Sequence, residues 1–246
     1  MSLAGIIGAG RRRNNISGPA TEMAGLFANG EAGDYWEAGY LPGKGLPDPT
    51  TGFQSTLIGQ ANGEQVTGAT AGLLPRPNPN TGEPVQWRTE LITGRCTLSS
   101  SLSDTFAMWV YGSCSDVGWN CWMQLGPAGP YIYNASPQYN FQAGRPVTQG
   151  VTSSLNNPSN ATMLVQVEAG AGVSFYINDA LIGTNAGISY DSGMTQFDVF
   201  SLWGGGQRMN GYTRAFGVVD RLLLPEERTM VHERNVHLYT IGEGLP

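Results

Sequence analysis

Three groups of side chains in this 246-residue chain have types and spacings that invite chemistry. The first is Glu31-Ala-Gly-Asp34-Tyr-Trp-Glu37. Glycoside hydrolysis needs two carboxylates that flank the scissile bond from one side. Along a strand, residues an even number apart share a face, so Glu31 and Asp34, three apart, point to opposite sides. These carboxylates are expected to be solvated rather than catalytic. The second group is His232-Glu-Arg-Asn-Val-His237, which holds the only two histidines. A zinc-binding helix needs them at i and i+4. Here they stand at i and i+5, about 140° apart around a helix. Exposed helix residues are the expectation, and with both candidate bases on one segment no Ser-His-Asp set assembles. The third group is aromatic: Trp119, Trp122, Tyr131, Tyr133 and Tyr139 crowd the loops between Gly112 and Gln142. Such rings stack on sugars, anchor protein interfaces, or fill a core. They are the candidate ligand-binding set, for a glycan or a protein partner. Gly204-Gly-Gly is no phosphate loop, because no Gly-Lys-Ser/Thr follows it.

Composition limits the partners. Charged residues are only 13% and the net charge is −6, which argues against coating a nucleic acid. Three cysteines, Cys96, Cys114 and Cys121, are an odd count without zinc spacing. Free, mostly buried thiols in a chain folded in a reducing cytoplasm are expected. No run approaches the roughly 18 apolar residues of a membrane span, and no signal-peptide pattern opens the chain.

The elements that must position these residues are strands. Thirty-five glycines and 15 prolines punctuate the chain with turns. Residues 1–30 read as an arm that orders on a partner, with Arg11, Arg12 and Arg13 as the particle-anchoring cluster for an acidic surface. Residues 31–84 are turn-rich, with short strands expected in Gln54–Gln60 and Glu64–Leu74; Pro75–Pro84 cannot be a central strand. From Val85 the texture becomes strand-like. Thr105-Phe-Ala-Met-Trp-Val-Tyr111 is apolar on both faces and predicts a central strand. In Val173–Thr184, Asn178-Asp179 suits a type I′ turn. That turn would face Ile177 to Ala180, Phe175 to Ile182 and Val173 to Thr184. Pro225, followed by Glu226 and Glu227, starts a helix. Its apolar residues Leu224, Val231 and Leu238 make one narrow stripe, so most of its surface should be wet.

The order Thr105-Phe-Ala-Met-Trp-Val, Met163-Leu-Val-Gln-Val, Val173-Ser-Phe-Tyr-Ile-Asn-Asp-Ala-Leu-Ile-Gly resembles the concanavalin A-like (laminin G-like) jelly roll. Phe216-Gly-Val-Val-Asp-Arg-Leu-Leu-Leu-Pro-Glu-Glu-Arg resembles its closing strand and helix. The resemblance covers roughly Val85 to Gly242. It implies an all-β fold: a concanavalin A-like jelly-roll β-sandwich over 85–246, with an extended N-terminal arm and one C-terminal helix. Glycanases of that family carry Glu-x-Asp-x-x-Glu, which is absent here. Calcium is compatible with the fold, and Asp191, Asp198 and Asp220 are available, yet no clustered oxygen-ligand motif is present. No cofactor is expected.

With Leu26-Phe-Ala-Asn-Gly-Glu-Ala-Gly shortly before the sandwich, the chain looks like domains of tailed-phage virion proteins. The implied role is non-enzymatic: a head-decoration, fibre or tail-associated virion protein, assembled in the host cytoplasm. It would attach to other virion proteins through its arm, form homo-oligomers and adhere to surfaces. The alternatives are a carbohydrate-binding module for host glycans and, behind it, a glycan hydrolase.

Overall fold

The computed structural model describes residues 23–38, 56–68, 74–77, 84–90, 93–114, 120–135, 140–143, 151–152, 161–188, 190, 192–201, 203–206 and 209–241. Its strands, in chain order, are β1 (Gly33–Glu37), β2 (Thr56–Ile58), β3 (Gln65–Gly68), β4 (Leu74–Pro77), β5 (Pro84–Glu90), β6 (Gly94–Leu102), β7 (Phe106–Cys114) and β8 (Asn120–Leu125). They continue with β9 (Tyr131–Ala135), β10 (Asn140–Ala143), β11 (Val151–Thr152), β12 (Ala161–Glu168), β13 (Gly172–Ile177), β14 (Ala180–Asn185), β15 (Met194–Val199) and β16 (Asn210–Val219). One long helix, α1 (Pro225–Ile241), follows.

Two antiparallel eight-stranded sheets result. The first runs β14-β13-β12-β7-β16-β5-β4. The long β16 takes β5 beside its residues Asn210–Thr213 and β1 beside Ala215–Val219. The second runs β11-β10-β9-β8-β15-β6-β3-β2. The all-β sandwich expected from the sequence is the fold, with β7 central and the proline-bearing β4 confined to an edge.

Between the sheets lies the main core. Trp36, Phe106, Met108, Val110, Val165, Phe175, Phe216 and Val218 of the first sheet meet Cys96, Leu98, Trp122, Leu125, Ile132, Phe197 and Val199 of the second. Trp36 stacks on Phe216 with centroids 4.9 Å apart. A second apolar layer explains why β7 is apolar on both faces. Ala107 and Trp109, with Tyr35, Leu164 and Val219, pack outside the first sheet against Met23, Leu26, Phe27, Leu223 and Val231. The centre of the first sheet's outer face, around Trp109 and Tyr35, is therefore covered by residues 23–27 and by α1, while Leu181 at the β14 edge stays exposed. Gly217 makes room for this layer, since a Cβ there would lie 2.2 Å from the Trp109 ring.

Several expectations need correcting. Residues 1–30 are expected to form an arm that orders on a partner, yet Met23 and Leu26 are each only 1% exposed and pack into this chain's own fold. Arg11, Arg12 and Arg13 lie outside the described residues. The hairpin turn is as expected, with left-handed Asn178 (φ 51) and Asp179 (φ 63) and Ile177 opposite Ala180. Beyond it a bulge between Phe175 and Tyr176 shifts the pairing, so Phe175 faces Gly183 and Val173 faces Asn185. The helix stripe is also different. Leu224 is 55% exposed, whereas the face turned to the sheet is Val231, Arg234 and Asn235. A polar face can be buried here because the sheet supplies polar partners for it.

Candidate functional site

Strand alternation separates the carboxylates of the first candidate group. In β1, Trp36 enters the main core and Tyr35 the outer layer. Asp34 therefore shares the side of Trp36 and Glu37 the side of Tyr35. Asp34 is fully buried and accepts backbone N–H bonds from Tyr35 (2.8 Å), Ala61 (2.7 Å), Asn62 (3.0 Å) and Glu64 (3.0 Å). Burial pushes its carboxyl above the usual range, and the four N–H donors oppose that. Gly59 is needed beside it, because a Cβ there would meet Asp34 Oδ2 at 1.9 Å. Glu37 is bidentate to Arg234, which donates Nε–H (3.0 Å) and Nη2–H (2.9 Å); neither side chain is exposed. Glu31 accepts from Asn29 (2.9 Å) and pairs with Arg221 at 3.3 Å. None of the three is the solvated group expected, because each is held by specific hydrogen-bond donors. Asp34 and Glu37 point to opposite sides of the sheet, and Glu31 is engaged by Asn29 and Arg221.

The histidine expectation is corrected too. His232 is half-buried, with Nδ1 3.2 Å from Thr162 Oγ1, which also accepts Asn235 Nδ2–H at 3.1 Å. Burial holds its proton affinity below the ordinary value. The side chain of His237 is outside the described residues. Cys96 and Cys121 are free and buried, and burial pushes both thiols up. Among the described residues no three His, Cys, Asp or Glu groups converge on a metal position. Of the calcium candidates, Asp198 pairs with Arg95, Asp220 accepts the Ser103 N–H, and Asp191 lies outside the described residues.

The aromatic set divides. Trp119 and Tyr139 lie outside the described residues. Trp122 is fully buried in the main core. Tyr131 and Tyr133 are 3% and 1% exposed and pack together with centroids 4.8 Å apart. These three rings present no face to solvent, so they do not form the ligand surface proposed for them.

Register shows what the second sheet does present. Opposed residues share a face, and Phe197, Leu125, Cys96 and Val66 point into the core. Their neighbours Tyr131, Gln124, Asp198, Arg95 and Thr67 therefore form one outward row across β9, β8, β15, β6 and β3. The row is covered at Tyr131, Gln124 and Asp198 and opens at Arg95 and Thr67. Thr97 and Gln196, hydrogen-bonded to each other at 3.1 Å, continue the open part.

At the boundary sits a unit the sequence reading missed. Arg95 donates Nε–H (2.6 Å) and Nη2–H (2.8 Å) to buried Asp198, and its guanidinium lies 4.3 Å over the ring of Trp203. The loop carrying Trp203 is pinned twice. Gly204 N–H reaches Asp198 Oδ2 at 2.9 Å, and Trp203 N–H reaches Gln124 Oε1 at 2.9 Å. Directly after β15, Phe200, a buried residue in the left-handed region (φ 65), turns the chain into this loop. A bulky residue there carries strain of about 1–3 kcal/mol. The sequence signal was a lone Trp before Gly204-Gly-Gly, readable only as a turn.

No protein-family model matches the chain, and no curated protein matches it either. Solved structures do. A botulinum neurotoxin type C structure, concerned with interaction with two ganglioside molecules, superposes with a TM-score of 0.51 at 11% identity, covering 75% of this chain and 50% of that one. The binding domain of botulinum neurotoxin serotype D gives 0.57 at 9%, covering 82% and 51%. Trypanosoma rangeli sialidase gives 0.57 at 10%, covering 87% and 34%. This chain thus spans about half the length of the toxin domains and a third of the sialidase. At such identities the likeness defines the class of fold: a jelly-roll-like β-sandwich, compatible with the concanavalin A-like type.

Proposed function

We propose that this chain is a non-enzymatic adhesion module: a lectin-like jelly roll that binds surface glycan through the open outer face of its second sheet. The observation that carries the reading is the asymmetry of the two outer faces. The centre of the first is covered by residues 23–27 and α1. The second offers an exposed polar strip around Arg95, Thr97 and Thr67 next to a partly exposed tryptophan. Sugars are recognised by such combinations of hydrogen-bonding groups and an aromatic ring. The engagement of Asp34 and Glu37 in structural bonds supports binding without turnover. Similar folds belong to toxin structures concerned with gangliosides and with SialylT, which supports a glycan as the ligand class.

The setting we infer is a tailed-phage virion, as a head-decoration, fibre or tail-associated protein in symmetric homo-oligomers. This rests on the likeness of a concanavalin A-like domain preceded by Leu26-Phe-Ala-Asn-Gly-Glu-Ala-Gly to domains of such proteins. Arg11, Arg12 and Arg13 would dock the arm on other virion proteins. A glycan array, with release of reducing ends followed in parallel, tests the reading: saturable binding without release is expected, and no binding or sugar release would overturn it. Deleting residues 1–22, which leaves Met23 and the core intact, is expected to abolish particle incorporation. Full occupancy by the truncated protein would remove the docking role.

A further inference from the structure

The Arg95–Asp198–Trp203 unit is built as a fixed cation with one side left open. A guanidinium has five N–H donors in a planar fork. Two are taken, Nε–H and one on Nη2, both by Asp198. No other acceptor among the described residues approaches Arg95. The remaining donors, two on Nη1 and one on Nη2, form the far edge of the fork, with the spacing a second carboxylate needs for two parallel bonds. The Arg95 side chain is 41% exposed while Asp198 is 0% exposed, so the used edge is turned into the protein and the unused edge toward solvent.

The restraints on the group come from β15, from β8 and from the loop that follows β15. Asp198 in β15 holds one edge, Trp203 supports the guanidinium plane, and Gly204 N–H and Gln124 hold the loop that carries Trp203. The left-handed Phe200 sets the direction of that loop. An arginine so held loses little rotamer freedom when it binds a ligand. A purely structural ion pair does not need an aromatic support delivered by a strained turn. On the same outward face, Thr67 stands opposite Arg95 in register and Thr97 is hydrogen-bonded to Gln196, polar side chains suited to ring hydroxyls.

The geometry points to a carboxylated sugar as the ligand of this face, its carboxylate taken by the open edge of Arg95 and its ring set against Trp203, Thr97 and Gln196. This assignment rests on the adhesion reading above and names the substrate class for it. Asp198 neutralises the arginine only on the inner edge, so the attraction is short-ranged and directional. The chain's net charge of −6 makes generic attraction of polyanions an inadequate explanation for tight binding.

The test is equilibrium binding of the full chain to polygalacturonate, alginate and polysialic acid, each beside its carboxyl-reduced form, at physiological salt. At least one acidic polymer is expected to bind, with its reduced form roughly 10- to 100-fold weaker, the range for loss of one charge-assisted bidentate contact. Arg95→Lys keeps a cation against Asp198 but loses the fork, and Trp203→Ala leaves the ion pair in place. Each is expected to weaken binding about 10-fold or more while the unfolding midpoint shows the protein folded. Equal binding of acidic and reduced polymers, or binding unaffected in both variants, overturns the carboxylate assignment and leaves the adhesion reading standing. No binding to any polymer, reduced or not, overturns both.

Discussion

Replacing Glu37 by Gln tests whether this carboxylate belongs to the fold or to chemistry. Neither the Glu37 nor the Arg234 side chain is exposed, and two bonds of 3.0 and 2.9 Å join them. The pair clamps β1, a strand of the first sheet, to α1, which packs on that sheet's outer face. Glutamine keeps one acceptor oxygen but turns an NH2 toward a guanidinium that only donates, and leaves its charge buried. Removing one partner of a buried pair costs about 3–5 kcal/mol. For a chain of this size each kcal/mol lowers Tm by roughly 2–4 °C, so a drop of roughly 6–20 °C is expected. Thermal unfolding followed by tryptophan fluorescence measures the drop, and urea denaturation the free energy, because Trp36 and Trp109 lie in the two layers that β1 joins. A cycle with Arg234→Met separates the pair from its surroundings, with a coupling energy of about 2 kcal/mol or more expected. Coupling indistinguishable from zero, or a Glu37→Gln protein of unchanged stability, would refute the structural assignment.

Three further outcomes follow from the same structure. Asp34→Asn keeps one acceptor oxygen for four backbone donors, leaves two unsatisfied and is expected to cost about 2–6 kcal/mol, at about 1–3 kcal/mol for each; hydrogen exchange should speed up at Ala61, Asn62 and Glu64. Burial holds the His232 proton affinity below its ordinary 6.5, with Asp179 and Glu233 restoring part of it. The unfolded chain thus takes up the proton first, so this contribution to stability is fully present above pH 6.5 and is lost as the pH falls through the lower, folded-state value. Unfolding titrations of His232→Gln should be flatter than wild type between about pH 7 and pH 5. Gly217→Ala forces a methyl group against the Trp109 ring and is expected to destabilise by about 1–3 kcal/mol, read from the urea midpoint.

What the sequence revealed, and what it hid, has a physical pattern. Elements set by local signals were legible: the Asn178-Asp179 turn, the doubly apolar β7, and the Pro225 start of α1. The bulge at Phe175 and Tyr176 was not, because nothing local marks it. The buried face of α1 was misread because hydropathy treats Arg234 and Asn235 as surface residues. Their partners, Glu37 and Thr162, are 197 and 73 residues away. The candidate site was the least legible part. Cross-strand register, which joins Arg95 to Asp198 over 103 residues, cannot be read from composition. Counting aromatics favoured Trp122, Tyr131 and Tyr133, three rings that the fold buries, over Trp203, which stands alone in a glycine-rich turn. The turn at Phe200 depends on a left-handed non-glycine residue, which sequence rules disfavour and only the assembled core can hold.

The most direct test of the account is a paired measurement on one sample series: binding of an acidic polysaccharide and release of its reducing ends, for wild type, Trp203→Ala and Glu37→Gln. The account predicts saturable binding by wild type without sugar release, binding weakened by Trp203→Ala, and binding retained by whatever fraction of Glu37→Gln is folded. Release of reducing ends by wild type, abolished in folded Glu37→Gln, would contradict it and make the chain an enzyme.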